Sequence, residues 1–379
     1  MTASQLALYS LAGEPTEEYP ISTNDQVAGM LNQGSPVAIG VSGGKDSSAV
    51  AARTAAFLKE IGHSGPLILV HSDLGRIEWR QSLPTCQRLA DKLKLELVVV
   101  RRKAGDMIDR WRQRWQSSVE RYASLSCVRL ILPWSTPAMR FCTSEMKQQI
   151  ICVELTKRFP GKTILSVSGI RREESRARAQ AEILEYQPRL CRERLATLGY
   201  DWRPILDWKL SQVLSFLSRE GIPLHQAYTV YNSSRVSCCF CILASQSDLL
   251  ASTRCDDHRD VYRQLVELEL QSSFSFQEGN WLADLAPELL SPELRQQIPL
   301  AKRRAAAREQ AEKEIPPHLF YSRGWPTSIP TEAEAQILAR VRIGVATAVG
   351  ISIRYTEPEQ IIERYKQLME WKAVSLLSR

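Results

Sequence analysis

Val37-Ala38-Ile39-Gly40-Val41-Ser42-Gly43-Gly44-Lys45-Asp46-Ser47-Ser48 is the stretch on which the reading of this chain turns. Its first five residues are apolar and bounded by turn formers, the pattern of a buried strand. A glycine-rich turn follows, then helical spacing from Ser47 to Ile61. Two consecutive glycines let a backbone come close to a ligand and turn successive N–H groups inward. The start of a helix adds about half a positive charge there. Ser42 and Ser47 offer hydroxyls and Lys45 a mobile cation, so the turn is chemically a cradle for a polyphosphate. A Walker A loop fails on spacing: Asp46 follows Gly44-Lys45, and Gly161-Lys162-Thr163 has Thr156 where the first glycine belongs.

The chain on either side supports a nucleotide-binding fold. Leu67-Ile68-Leu69-Val70, Leu97 to Val100 and Thr163 to Val167 are further buried runs. Between them lie helical stretches from Glu78 to Leu95, with Pro84 as a break or a start, and from Thr143 to Phe159. Apolar strands alternating with helices predict an α/β fold, a doubly wound parallel sheet with helices on both faces. Pro204-Ile205-Leu206-Asp207-Trp208 reads as extended, followed by a helix from Lys209 to Glu220. Residues 228–260 read as an irregular Ser/Cys-rich loop and then helix. Helical stretches at 299–314, 330–347 and 357–378 are divided by Pro316, Pro317, Pro326 and Pro330. The expected organisation is an N-terminal arm over 1–35 with one short helix, a nucleotide-binding domain over 36–200, a cysteine-containing segment over 201–280, and a helical C-terminal extension over 281–379.

Composition bounds the function. Of 379 residues, 44% are apolar and 24% charged, which excludes a collagen, a disordered tail and a membrane bundle. The longest nearly apolar stretch, Val341 to Ile353, is too short to span a bilayer and carries Arg342. Acids rather than bases follow the start (Glu14, Glu17, Glu18), so no signal peptide is read and a cytoplasmic location is expected. Lys+Arg exceeds Asp+Glu by 49 to 42, which permits an anionic partner. Residues 101–129 hold eight Arg/Lys against three acids, with Trp111 and Trp115 among them. That segment reads either as a groove tracking a nucleic-acid backbone or as a basic solvent face over buried tryptophans.

Nine cysteines against five histidines point to free thiols or a sulfur-rich metal site rather than disulfides. Cys238 and Cys241 form a C-x-x-C, whose thiolates can chelate one centre while distant cysteines complete four ligands. A structural zinc, a metal-free buried cluster and a persulfide-carrying thiol are the competing readings.

The hexapeptide Ser42-Gly43-Gly44-Lys45-Asp46-Ser47 resembles the PP-loop of the ATP pyrophosphatase (adenine nucleotide α-hydrolase-like, HUP-like) superfamily. Val70-His71-Ser72-Asp73-Leu74-Gly75 is similar to the acidic strand end of its phosphoadenylyl-sulfate (PAPS) reductase branch. Gly169-Ile170-Arg171-Arg172-Glu173-Glu174-Ser175-Arg176-Ala177-Arg178 looks like the branch's G-x-R-x-x-E-S-x-x-R segment. Pro204 to Trp208 and Tyr228 also fit, so the likeness covers about residues 36–260. It implies a five-stranded parallel sheet and binding of ATP with Mg²⁺. Ser42, Gly43, Gly44, Asp46, Ser47 and Ser48 would then hold the pyrophosphate end. Asp73, Gly169, Arg171, Arg172 and Arg178 would line the rest of the site, and Lys45, Asp46 and Arg172 would act in catalysis. Iron-sulfur members of the branch have one cysteine site before the arginine-rich segment and a C-x-x-C after it. On that order Cys142, Cys238, Cys241 and Cys255 are the expected ligands of a 4Fe-4S cluster, with Zn²⁺ as the alternative and Cys239 as the substitute for Cys238.

An intact loop together with a cysteine cluster looks most like the PP-loop component of DNA phosphorothioation systems. The function so implied is an ATP pyrophosphatase that adenylates an oxygen or phosphate acceptor, the DNA backbone among them, for sulfur transfer. AMP and pyrophosphate are its products, and a cysteine desulfurase is the implied sulfur donor. Two alternatives stand beside it. One is a sulfonucleotide reductase, which the intact loop and the lack of a cysteine after Cys255 disfavour. The other is a nucleic-acid-binding component that uses ATP and a metal without turnover. No membrane partner is expected.

Overall fold

The computed structural model describes residues 19–377. Six strands form one sheet: β1 (Val37–Gly40), β2 (Leu67–Asp73), β3 (Glu96–Arg101), β4 (Thr163–Val167), β5 (Leu184–Tyr186) and β6 (Leu198–Trp202). Their order is β3-β2-β1-β4-β6-β5. All neighbours are parallel except β5, which runs antiparallel to β6 at the edge. Val37 pairs with Leu67 on one side and Leu165 on the other, so β1 is central. The chain winds outward from β1 to β3, then returns to β4 on the other side. The order therefore reverses between β1 and β4, where open α/β sheets bind ligands at the strand carboxyl ends.

Both sheet faces are covered, as a parallel sheet requires. Val37, Ile39, Leu69, Leu165 and Val167 point to one face. There they pack on α2 (Lys45–Glu60), α3 (Ser82–Leu93) and α6 (Leu210–Arg219), with α1 (Asp25–Asn32) beside them. Ala38, Ile68, Val70 and Ile164 point to the other, onto Cys152 and Leu155 of α5 (Gln149–Arg158). This period-2 division is what makes the strands read as continuous apolar runs. α1 is the short helix expected in the N-terminal arm; residues 1–18 of that arm lie outside the described residues.

One expectation is corrected and one refined. Pro204 to Trp208 is a run of turns rather than a strand; the strand lies just before it, as β6. Its apolar side chains are buried for another reason: Trp202 and Trp208 donate their indole N–H to the Ser22 and Pro20 carbonyls, 2.9 and 2.7 Å away. The helix expected from Thr143 to Phe159 is present: Phe141–Thr143, a π-turn at Ser144–Gln148 and α5 follow one another without a break.

The chain separates into two compact units. Unit 1 joins the chain up to Met107 with Pro137–Arg259 and holds the sheet. Unit 2 joins Ile108–Thr136 with Asp260–Arg379. Its helical part thus begins earlier than residue 281 and recruits most of α4 (Met107–Ala123) from the middle of the sequence. Its other helices are α8 (Arg259–Ser272), α9 (Pro292–Glu312), α10 (Glu332–Val349) and α11 (Pro358–Leu377); α7 (Gln246–Thr253) belongs to unit 1.

Unit 2 is organised around buried charges that satisfy backbone groups. Arg342 is wholly buried and donates to the carbonyls of Tyr122 at 3.0 Å and Arg354 at 2.8 Å, capping the end of α4. Glu269, also wholly buried, accepts the N–H groups of Phe276, Leu282 and Ala283 at 2.7–2.9 Å. Among the described residues no helix is long and apolar enough to cross a membrane.

Candidate active site

The glycine-rich loop sits where the winding reverses. Gly43 has φ +76°, and a Cβ there would lie 3.1 Å from the Ser82 carbonyl oxygen, so both backbone and packing demand glycine. Gly44 is different. It is the N-cap of α2 with φ −79° and ψ 157°, which any residue adopts. A Cβ on it would lie 3.5 Å from the Tyr228 hydroxyl and from Val236 Cβ, an ordinary contact. Packing therefore leaves room for a side chain at 44, and the fold's own preference there is only the modest one of a helix N-cap for glycine over an aliphatic residue. Gly169 has a packing reason: a Cβ would meet the Asp46 carbonyl oxygen at 2.6 Å, so the end of β4 and the start of α2 touch through it.

The loop is held from inside by its own serines. Ser47 Oγ donates to the Gly44 carbonyl at 2.9 Å and accepts the Ser42 N–H at 3.2 Å. The Lys45 N–H is taken by the Tyr228 hydroxyl at 3.2 Å, which also accepts from Val236 N at 3.1 Å. These loop amides thus rest on neutral hydroxyls, which a charged oxygen can replace with stronger bonds. Ser48 is buried and lines a small pocket with Thr85 and Arg88 of α3.

Lys45 Nζ lies 3.3 Å from Asp46, 3.4 Å from the Ser234 carbonyl, and 5.1 Å over the Tyr228 ring. Burial pushes its ammonium towards the neutral form, but Tyr228 and Asp46 push harder, and its pKa ends above the ordinary lysine value. A fixed cation at the loop is the result. Asp248 anchors its far side by accepting from Ser234 N at 2.6 Å and Ser234 Oγ at 2.8 Å. The sequence offered Tyr228 only as part of a likeness, and gave no signal for Ser234 or Asp248.

Arg171 is 4% exposed and reaches across from β4 to bind Asp46 at 2.7 Å and Glu173 at 2.7 Å. Burial lowers the affinity of its guanidinium for a proton, Asp46 raises it more, and it stays above the ordinary value. Its fork locks the loop to the arginine-rich segment. Arg172 is bound to Asp207 at 2.8 Å and to the carbonyls of Ala179 and Ala181. Arg178 is paired with Glu174, and Arg176 is exposed. Asp73, at the end of β2, accepts from Gly75 N at 2.7 Å and is paired with Arg101.

His225 lies edge-on to the loop: its Cδ2 would be 3.4 Å from a Cβ on Gly43. Nδ1 accepts the Ala227 N–H at 2.9 Å, and Nε2 is buried without a hydrogen-bond partner. Burial, then Arg88 and His258, push its pKa down to about 4, so the ring is neutral. His71, by contrast, is held as a cation. Burial lowers its pKa, but Cys86 and Glu78 raise it to about 10. It bridges the Val41 carbonyl at 3.0 Å and Glu78 at 3.2 Å, fixing the residue before the loop.

The cysteines divide. Cys238 is tied to the chain after β2 through a bridge with Glu78 and the Cys239 N–H bond to Ile77. The turn carrying Cys142 is tied to β2 through Ser72 Oγ and the Met146 carbonyl, 2.6 Å apart. Burial pushes Cys238 up to about 12; Cys241 and Cys142 add to this, so the three share one electrostatic neighbourhood. Cys255 is buried beside Tyr231 and Cys239 instead. Among the described residues no three of His, Cys, Asp and Glu are arranged to hold a metal ion.

Residues 36–242 match the phosphoadenosine phosphosulfate reductase domain. The chain belongs to that family. The match takes in the loop, the arginine-rich segment, Cys142, Cys238 and Cys241, and leaves out Cys255 and α8–α11. No curated protein matches the chain. Among solved structures it is similar to a phosphoadenylyl-sulfate (PAPS) reductase from Candida auris in a phosphate complex. The identity is 11% and the TM-score 0.31, over 60% of this chain and 83% of that one. For this member of the PAPS reductase domain family, the observed sheet order places the loop and the arginine-rich segment at one crevice.

Proposed function

We propose that the protein is an ATP pyrophosphatase that adenylates an oxygen or phosphate acceptor, the DNA backbone among the candidates, so that sulfur can displace the adenylate. One observation carries the reading: Gly44 is glycine although the fold would accept a side chain there. A loop kept open at that point suits the β and γ phosphates of ATP approaching the start of α2. In the reaction an acceptor oxygen attacks the α-phosphorus, the bond to the β-phosphate oxygen breaks, and pyrophosphate leaves with that electron pair. The loop amides and Lys45 stabilise the charge that develops on it. Arg171 acts through Asp46 as a positioning residue, and Arg172 braces the segment that faces the acceptor. A sulfur nucleophile then attacks the acceptor atom that bears the adenylated oxygen, and AMP leaves carrying that oxygen.

Asp46 and Asp73 are each paired with an arginine. Mg²⁺ accordingly enters this reading only as the counter-ion of the triphosphate. For the thiols, the proposal keeps Cys142, Cys238, Cys241 and Cys255 as the candidate ligands, with Cys239, buried between the influence of Cys238 and Cys255, as the substitute. Iron and sulfide in anaerobically purified protein, lost in Cys142→Ser, would support a cluster. Zinc without sulfide, or no metal, would remove it.

Family membership supports a second reading, sulfonucleotide reduction. A coupled assay separates the two. Pyrophosphate release from ATP supports the first, and sulfite release from PAPS with a thiol reductant replaces it by the second.

A further inference from the structure

The basic segment that the sequence left between two readings resolves into a cleft in unit 2. Trp111 and Trp115 are 2% and 5% exposed, so they are core residues and cannot stack on a base. The arginines are another matter. Arg110, Arg114 and Arg121 stand four and eleven residues apart, spacings that return to one side of a helix. With Gln113, Ser117, Ser118 and Ile131 they line a cleft of about 240 Å³. Three guanidinium groups, an amide and two hydroxyls face it, and no carboxylate is in its wall.

The wall is built rather than incidental. Ser118, 2% exposed, accepts the Ile131 N–H at 2.7 Å, and Arg114 Nε donates to the Leu132 carbonyl at 2.9 Å. Together these pin the strand of chain after α4 onto the helix and fix the plane of Arg114. Arg121 is held more loosely, at 3.4 Å from the Ser126 carbonyl. One guanidinium fork already satisfies a carboxylate's two oxygens; three guanidinium groups along one side of a helix suit a tetrahedral anion. The volume is below that of drug-sized ligand sites, roughly 300–1,000 Å³, so a single anionic group rather than a whole cofactor fits.

We infer that this cleft binds a phosphate group, distinct from the glycine-rich loop of unit 1. The group belongs either to a nucleic-acid backbone or to a small phosphorylated molecule, and the two share the chemistry the arginines read.

The test uses the full chain in three forms: wild type, the double variant Arg110→Gln/Arg121→Gln, and the loop variant Gly44→Val. Two probes are titrated, inorganic phosphate by calorimetry and a fluorescein-labelled single strand of about 12 nucleotides by anisotropy over a range of salt. The expected result is binding that survives Gly44→Val and weakens about tenfold or more in the double variant. For the strand, the slope of log K against log salt should also flatten by about 0.7, the one phosphate contact the cleft supplies. Weakening for both probes assigns the cleft to a backbone phosphate; weakening for phosphate alone assigns it to a small molecule. Gln113→Glu, which adds a carboxylate to the exposed rim, must weaken the same probe, and it serves if the double variant does not fold. Unchanged binding in the arginine and Gln113 variants, or loss in Gly44→Val alone, overturns the inference.

Discussion

Gly43 and Gly44 are neighbours with opposite reasons for being glycine, and substituting each by alanine separates folding from ligand binding. At Gly43 the φ of +76° costs an L-residue about 1–2 kcal/mol. Contact at 3.1 Å with the Ser82 carbonyl adds to that, because the neighbour is backbone and cannot swing away. Gly43→Ala should therefore lower stability by at least about 1–2 kcal/mol. At Gly44 the backbone is extended and the nearest atoms are 3.5 Å from the new methyl. Gly44→Ala should change stability by less than about 1 kcal/mol, because the gain from a less flexible unfolded chain is offset by alanine's poorer fit to the N-cap. Its ATP affinity, however, should fall at least about tenfold, roughly 1.4 kcal/mol, because the methyl stands beside Ser42 Oγ where the phosphates approach. Urea denaturation reads the first quantity and calorimetric titration with Mg-ATP the second. A Gly44→Ala protein that binds ATP like wild type would refute the reasoning, since Gly44 would then have neither a structural nor a ligand role.

Three further outcomes follow from buried groups. Arg171→Met should cost about 2–3 kcal/mol in urea denaturation, since it leaves Asp46 without its main partner; Arg171→Lys should recover little, because it lacks the planar fork. His225 is neutral in the fold with a pKa near 4, below the unfolded value near 6.5, so the unfolded chain binds the extra proton between those values. Wild type should then lose about 3 kcal/mol more stability than His225→Asn between pH 7.5 and pH 4; equal losses would contradict the assignment. In unit 2, Glu269→Ala strands three buried N–H groups at about 1 kcal/mol or more each, so its urea midpoint should fall far further than that of Glu269→Gln, which keeps one acceptor oxygen.

The sheet was legible where strands are buried on both faces. Val37–Gly40 and Thr163–Val167 are largely apolar because Val37, Ala38, Ile39, Ile164, Leu165 and Val167 each join the core on one face or the other. β6 escaped notice because Leu198-Gly199-Tyr200-Asp201-Trp202 lacks that signature. Its glycine is there because Leu190 occupies the space, and a Cβ would come within 2.1 Å of Leu190 Cβ. Trp208 and its neighbours mimicked a strand because burial under the segment before α1 requires the same side chains.

At the site, the loop was readable because six contiguous residues carry it. Lys45's support from Tyr228, Ser234 and Asp248 was not, since those residues lie 183–203 positions away and meet only in the fold. The cysteine set shows the limit of spacing as a guide. Cys238 feels Cys241 and Cys142, Cys255 interacts with Tyr231, and Cys239 feels both Cys238 and Cys255, a network that spacing alone does not reveal. The same limit applied to α4, whose alternating tryptophans and arginines suited both a groove and a core until burial placed the tryptophans inside.

The most direct test of the central claim is product analysis with ATP labelled at the α-phosphate, incubated with the full-length protein, Mg²⁺ and candidate acceptors. The account predicts labelled AMP or a labelled adenylate together with pyrophosphate, formed faster with acceptor than without, and lost in Gly44→Ala. Labelled ADP with free phosphate would contradict it, because cleavage would then fall between the β and γ phosphates rather than at the α-phosphorus.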